Sequence, residues 1–593
     1  MLRRSKLPIQ GMLPLGVSLL LACDGQTHAE HETSLRPETS LRPDYVRQNH
    51  ADAGDEILAA VAALQVSDDV LPAWPETRPY ETLFNPEAPV PGQCYTRTQG
   101  YHNPCYVCHQ QRINGRENTK DDHVLQIAYA FSDVGFTNHW LNLFEDRTER
   151  INAISDDEIL QWVRTDNYDE LMTRLESQTE FTGYTPDLKH LGAGAEAFDE
   201  MGFAKDGSGW VAYNYKPLPS SFWPTNGAAD DVMIRLPEAF RQTRGGQDSR
   251  QVYLANLSLV EMQIKDLERL SPTPPLDEKA IGADLDGDGV MGTATAVVRR
   301  RHYVGAADDR IVQDTLYPKD TEFLHTVRYL DVDEAGQVIP SRRIKEVRYM
   351  YRAAERNRGS AAFLYNDENM DKEAGKLPRF LVDQDRRLLE SETGWRVGGY
   401  IEDAQGRLRG NTFEETLFCM GCHDGIGATI DKTFSFARKI DGLDGWGYIN
   451  LDGMPDAPNM IVEHGDSRSE GGRGEYEIYL DRVGGGAEYR NNPEMEARFY
   501  TADNKLNPDA VKTVADIRDL VTPTVERALL LNKAYRVIVS DQDYLFGRDP
   551  APNPPENVYV KVDPAEAPTL PPDRRFAWDI RLDWSAARED DQN

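Results

Sequence analysis

The sequence predicts a multidomain α+β protein in which mainly helical regions flank an antiparallel β-rich middle region. Three observations lead there. The chain has 593 residues, more than one core of ordinary size serves. Apolar residues recur at three- and four-residue spacing in the early stretches DEILAAVAAL and SDDEILQWVRTDNYDELMTRLESQ. From about residue 294 to 410 the texture changes to alternating β-branched and aromatic residues.

Taken in order, the chain opens with Arg3, Arg4 and Lys6 ahead of an apolar stretch broken by Pro8 and Pro14. That is the layout of an export signal over 1–22, too short and interrupted for a spanning helix. Its end, Leu20-Leu21-Ala22-Cys23, resembles the bacterial lipobox. The resemblance implies cleavage before Cys23, lipidation of Cys23, and a lipid anchor in the cell envelope, on the periplasmic side or outer surface. Residues 23–45 hold the lipidated cysteine and a tether with the tandem hexamer TSLRPE, TSLRPD. Proline there disfavours a packed element. No later stretch is long and apolar enough to cross a bilayer.

Residues 46–275 read as a mainly helical region, with Ser155 and Glu158 spaced as an N-terminal cap. SPTPPLDE, from Ser271, marks a boundary. Residues 276–410 read as an acidic loop followed by strands, with DEAG and EDAQG as turns. Residues 411–548 return to helix and loop, ending in a helical pair interrupted at Pro523. Residues 549–593 form a proline-rich tail.

Lys and Arg total 66 against 99 Asp and Glu, a formal net charge of −33. Such a surface repels phosphate backbones, so nucleic acid is excluded as a partner. A protein with a basic docking patch fits instead.

Four of the six cysteines fall in two Cys-x-x-Cys-His motifs, NPCYVCHQQ and ETLFCMGCHDG. Here the chain resembles the c-type cytochromes, over these motifs and their surroundings. The resemblance implies two covalent haem c groups. Cys105 and Cys108 would bind one, with His109 as proximal iron ligand. Cys419 and Cys422 would bind the other, with His423 as proximal ligand. The flanking helical regions would then be haem c regions. A four-thiolate zinc site would not need a histidine after each pair. A dithiol redox site would sit at a helix start in a thioredoxin-like context, which neither motif has. Cys94 is left over and reads as a buried apolar thiol.

The second axial ligands are less legible. Met454, in Gly-Met-Pro, resembles the methionine-ligand loop of small cytochromes c and is the first candidate for the second haem, with Met460 and His464 as rivals. His102, His123 and His139 are near the first motif.

ADLDGDGVMG places Asp284, Asp286, Asp288 and Gly289 at positions one, three, five and six of a calcium-type loop. The twelfth position is Thr295 rather than a bidentate Glu. One structural calcium is expected.

These readings converge on a di-haem lipoprotein that transfers electrons in the bacterial envelope. A di-haem redox enzyme, peroxidase- or oxygenase-like with one open haem, is the alternative. A binding protein built on the β-rich middle is the third reading.

Overall fold

The computed structural model describes residues 90–96, 108–109, 135–178, 183–219, 224–374, 380–383, 387–424, 431–458, 473–484, 492–542, 544–563, 565 and 580–587. The signal segment 1–22, Cys23 and the tether lie outside them.

The α-helices begin with a run of short ones: α1 (Thr148–Asn152), α2 (Asp156–Arg164) and α3 (Tyr168–Ser177). Ser155 caps α2 by accepting from the Glu158 N–H at 3.2 Å. Ile159 and Val163, one turn apart, are its buried face.

Strands β1 (Val211–Ala212) and β2 (Ala229–Arg235) follow, then helix α4 (Arg250–Ile264). Next come the two-residue strands β3 (Arg269–Leu270) and β4 (Leu276–Asp277), the short helix α5 (Glu278–Ile281), and strands β5 (Thr293–Ala294) and β6 (Val297–Val298). Pairing of β3 with β6 and of β4 with β5 closes the acidic loop at its base.

The long strands β7 (Glu322–Val332) and β8 (Val338–Arg352) form a hairpin through the DEAG turn, where Gly336 takes a positive φ of 77°. Helix α6 (Arg358–Glu373) leads to β9 (Leu381–Asp383), β10 (Leu388–Glu390), β11 (Trp395–Glu402) and β12 (Leu408–Gly410). Strands β1, β2 and β7–β12 make one eight-stranded antiparallel sheet, ordered β1-β2-β7-β8-β11-β10-β9, with β12 also on β11.

Helix α7 (Phe413–His423) packs on β11 and β10. The remainder is helical: α8 (Glu475–Val483), α9 (Pro493–Phe499), α10 (Pro508–Lys512), α11 (Ile517–Val521), α12 (Val525–Asp541) and α13 (Trp584–Ala587). Thr524 caps α12 just after Pro523, so the helical pair breaks where proline requires. Among the described residues no helix is long and apolar enough to cross a membrane.

The expected fold class is overturned in one respect. The β-rich middle exists, but it is not flanked by mainly helical haem c regions. Strands β1 and β2, from the supposed helical region, extend the central sheet. Cys108 and His109 sit in a turn, and the helix with the second motif lies directly on the sheet. The physical reason is visible in β2, AlaAspAspValMetIleArg. Adjacent aspartates are poor strand formers and hide the segment from a pattern reading. Here partners across the ladder satisfy them. Asp231 accepts from Thr326 and, at 2.8 Å, from Arg328 Nε. Asp230 faces His325 at 3.3 Å.

Helix α4 is buried almost all round. Glu261 on it is fully buried and holds two ammonium groups, Lys265 at 2.9 Å and Lys439 at 2.7 Å, plus the Gly442 N–H at 2.9 Å. One carboxylate therefore ties the helix to the segment after the second motif. Substitution Glu261→Ala leaves Lys439 without its carboxylate in a dry interior, while Lys265 keeps Asp441 at 2.7 Å. It should lower unfolding free energy by about 3–5 kcal/mol, read as a drop in urea midpoint at unchanged slope.

Candidate functional site

The antiparallel register builds the floor of a cavity. Alternate residues of a strand share a face. Val232 pairs with His325, His325 with Arg348, and Arg348 with Gly399. The next row is Ile234, Phe323, Met350 and Val397. Asp230, Val232, Phe323, His325, Arg348, Met350 and Val397 all line the cavity. The cavity encloses about 180 Å³ and opens to solvent at its mouth.

Both motifs meet at this cavity. Cys419, Cys422 and His423 line it from α7, and Cys108 and His109 line it from the N-terminal side. Cys105 lies outside the described residues. On a helix, positions i, i+3 and i+4 share a face, so Cys419, Cys422 and His423 project together. The helix start is fixed by a capping box between Thr412 and Glu415. Arg409 grips Glu415 with two bonds of 2.8 Å.

His423 is held in one orientation and one tautomer. Its Nδ1 lies 2.9 Å from the Lys432 carbonyl oxygen. A carbonyl only accepts, so Nδ1 carries the proton and Nε2 keeps its lone pair. Burial pulls its pKa down to about 4, against the Lys432 hydrogen bond, so the ring is neutral at pH 7. Phe434 meets the ring edge-on at 5.5 Å.

The turn that supplies that carbonyl is strained. Asp431 and Lys432 are consecutive non-glycine residues with φ of 51° and 63°. Each such residue costs about 1–3 kcal/mol and persists where its surroundings over-determine it. Asp431 is bound by Arg352 at 2.9 Å, both side chains buried. Lys432 Nζ reaches Glu368 of α6 at 2.8 Å and the Asp424 carbonyl.

Burial pushes the Cys422 thiol up to about 12 and raises Cys419 as well, although Arg348 opposes both. These are neutral thiols, unlike the thiolates of zinc sites or dithiol redox centres. Among the described residues Cys108, Cys419 and Cys422 do not converge on a metal-sized point. Cys94 is buried, and it too lines the cavity.

Three arginines line the same space: Arg348, Arg438 and Arg548. Glu475 holds Arg438 through bonds of 2.8 and 2.6 Å. Glu346 holds Arg348 at 2.8 Å and Arg548 at 2.9 Å.

Other candidates fall elsewhere. Met454 is buried in the core that includes Tyr476, Leu520 and Val521, against which Cys108 of the first motif packs; it is not itself among the residues lining the cavity. His139 is half-buried beside Trp140 and is also off the wall. His102, His123, Met460 and His464 lie outside the described residues. His325, Asp230 and the arginines were missed by the sequence reading. Their only signal is the strand alternation that gives them a common face.

In the acidic loop, Asp284 and Asp286 are joined by Glu278 rather than by Asp288. Oxygens of these three residues lie within 4.8 Å of one another. Glu278 is buried and accepts from the Leu285 N–H at 2.6 Å and the Gly292 N–H at 2.9 Å, pinning both sides of the loop. Positive φ values at Gly287 (76°) and Gly289 (79°) allow the bend. Asp288 accepts from the Val290 N–H at 2.7 Å, and Thr295 accepts from the Thr273 N–H through its carbonyl at 2.8 Å.

Burial tends to raise the Glu346 pKa, but Arg348 and Arg548 outweigh it and hold it near about 2, against an ordinary 4.5. A depressed carboxyl stabilises the fold above its unfolded pKa and loses that contribution as pH falls. Glu346→Gln should therefore cost about 3 kcal/mol at pH 7. The gap to the parent should close between pH 4.5 and 2, followed by denaturation at stepped pH.

The family described as "-like lipoprotein" matches residues 79–519. An uncharacterized lipoprotein of Aquifex aeolicus (strain VF5) is 32% identical over 514 residues, spanning 78% of this chain and 86% of the relative. No solved structure matches. Matches of this extent make the chain a member of that lipoprotein family.

Proposed function

We propose that this lipoprotein is a di-haem c-type cytochrome that transfers electrons in the bacterial cell envelope. One observation carries the reading: two Cys-x-x-Cys-His motifs, far apart in sequence, open onto one cavity. The residues present fit the group. A helix face offers two neutral thiols and a neutral imidazole with its lone pair kept for a metal. The walls are largely apolar, with Phe323, Met350, Phe418 and Phe434 among them.

Cys105, Cys108 and His109 would hold one haem, and Cys419, Cys422 and His423 the other. Haem iron supplies reversible one-electron chemistry. The chain does the rest. The Lys432 carbonyl orients His423 and raises its donor strength. Apolar side chains exclude water. Arg348, Arg438 and Arg548 offer guanidinium groups to the carboxylates a haem carries. The acidic surface favours a redox partner with a basic docking patch. Lipid on Cys23 would hold the body at the membrane, on the periplasmic side or outer surface.

A structural calcium in the acidic loop belongs to the same reading. Asp284, Asp286 and Glu278 present hard oxygen donors to one cation. Calcium would lock the loop between the two small ladders at its base.

Two tests follow. Protein that is denatured and extracted with acidified organic solvent should retain the mass of two haems. A Cys419→Ala/Cys422→Ala double variant should retain one. Calcium at a hundred times its dissociation constant should stabilise the parent by about 2.7 kcal/mol. Glu278→Gln should lose most of that gain, measured as a chelator-reversible shift in melting temperature.

A further inference from the structure

Helix α6 turns an apolar pair toward water. Phe363, Asn366, Asp367 and Met370 are exposed, and their spacing of three, four and seven puts them on one helix face. Phe363 is 66% exposed and Met370 57%. Asn366 Nδ2 donates to the Met370 sulfur at 3.4 Å, which holds the thioether on that face. A surface helix ordinarily keeps its apolar stripe for the core. On α6 that part falls to Ala361 and Tyr365, which cluster with Leu316.

Negative charge surrounds the pair. Over DENMDKE, the end of α6, Asp367, Glu368, Asp371 and Glu373 stand against Lys372 alone. Glu392, exposed in the turn between β10 and β11, adds to them. Arg356, just before α6, donates to the Glu392 carbonyl at 2.9 Å and ties that turn to the helix start. The Glu392 carboxyl is raised by partial burial first, then by Asp424, Glu368, Asp371 and Asp367. An aromatic and a methionine at the centre, with charge at the rim, is how protein–protein interfaces are built.

The inner side of α6 leads to the second motif. Glu368 holds the Lys432 ammonium at 2.8 Å, and that ammonium lies 5.5 Å from the centre of the Tyr365 ring. The Lys432 carbonyl meets His423 Nδ1 at 2.9 Å. Lys432 is therefore the one residue joining α6 to the His423 ring. A partner seated on the outward face would have that residue and one helix, about 10–12 Å across, between itself and the ring.

We propose that the outward face of α6, centred on Phe363 and Met370, docks a redox protein whose lysines or arginines surround an apolar centre. The inference rests on the electron-transfer reading and says where that partner binds. A second copy of this chain fits the face badly, because a two-fold contact sets the same acids against one another. A cationic rim meets them with opposite charge, which speeds encounter and fixes the register.

The test uses the purified full chain, with a lysine-rich small cytochrome c as probe. Carbodiimide, which joins carboxylates to lysines in contact, should link the probe to Asp367 and its neighbours on α6, read by mass spectrometry. Electron transfer from the reduced protein to the oxidised probe, followed by stopped flow, should slow as salt is added. Phe363→Ser/Met370→Ser should lower its second-order rate constant about tenfold. Asp367→Lys should lower it at low salt and not at 1 M, where charges are screened beyond about 3 Å. Ile339→Ser, an exposed apolar change on β8, should leave it as it is. Should the double serine variant not fold, Asp367→Lys decides alone. Two haems by mass, with links confined to other carboxylates or parent rates in the α6 variants, overturn the docking surface alone. So does a parent that sediments as a dimer and a Phe363→Ser variant that sediments as a monomer, since the face then belongs to a second copy. Absence of haem mass from the parent overturns the covalent reading, and this inference with it.

Discussion

The pairing of β7 with β8 sets the position of nearly everything else. Its register puts His325 opposite Arg348 and Phe323 opposite Met350, and so decides which side chains face the cavity. A slip of one residue would turn the whole set to the opposite face. The neighbouring strands repeat the choice, because β2 and β11 pair with the same two strands. Segments far apart in sequence then pack over one prepared surface. The helix with the second motif covers part of it, and the turn with Cys108 and His109 closes another part.

Buried charge is the second theme. Arg438 with Glu475, Arg328 with Asp231, and Lys439 with Glu261 are all nearly inaccessible to water. Such pairs add little net stability against apolar replacements, yet each demands its partner. They join segments whose order along the chain gives no hint of contact. Around the cavity the same device fixes the arginines, so their cationic groups stay where the wall needs them. The left-handed turn at Asp431 and Lys432 is held by the same means.

Legibility in the sequence followed the range of the interactions. The β7–β8 hairpin was readable, since alternation and a DEAG turn are local signals. So were the cap at Ser155 and the break at Pro523. Strand β2 was not, because its aspartates look wrong for a strand until Thr326, Arg328 and His325 are beside them. The motif thiols and histidines could be named from spacing alone. Their convergence on one cavity could not, because it depends on long-range register. The core around Met454, against which Cys108 packs, was not legible from its Gly-Met-Pro context. Glu278 was passed over because it precedes the alternating loop carboxylates.

Cys419 and Cys422 are half-buried on the cavity wall, one turn apart on a helix that lies against the sheet. Turning that helix about its axis by a single residue would swing both sulfurs off the wall together. The seating of one helix on two strands thus decides whether the pair acts as a unit.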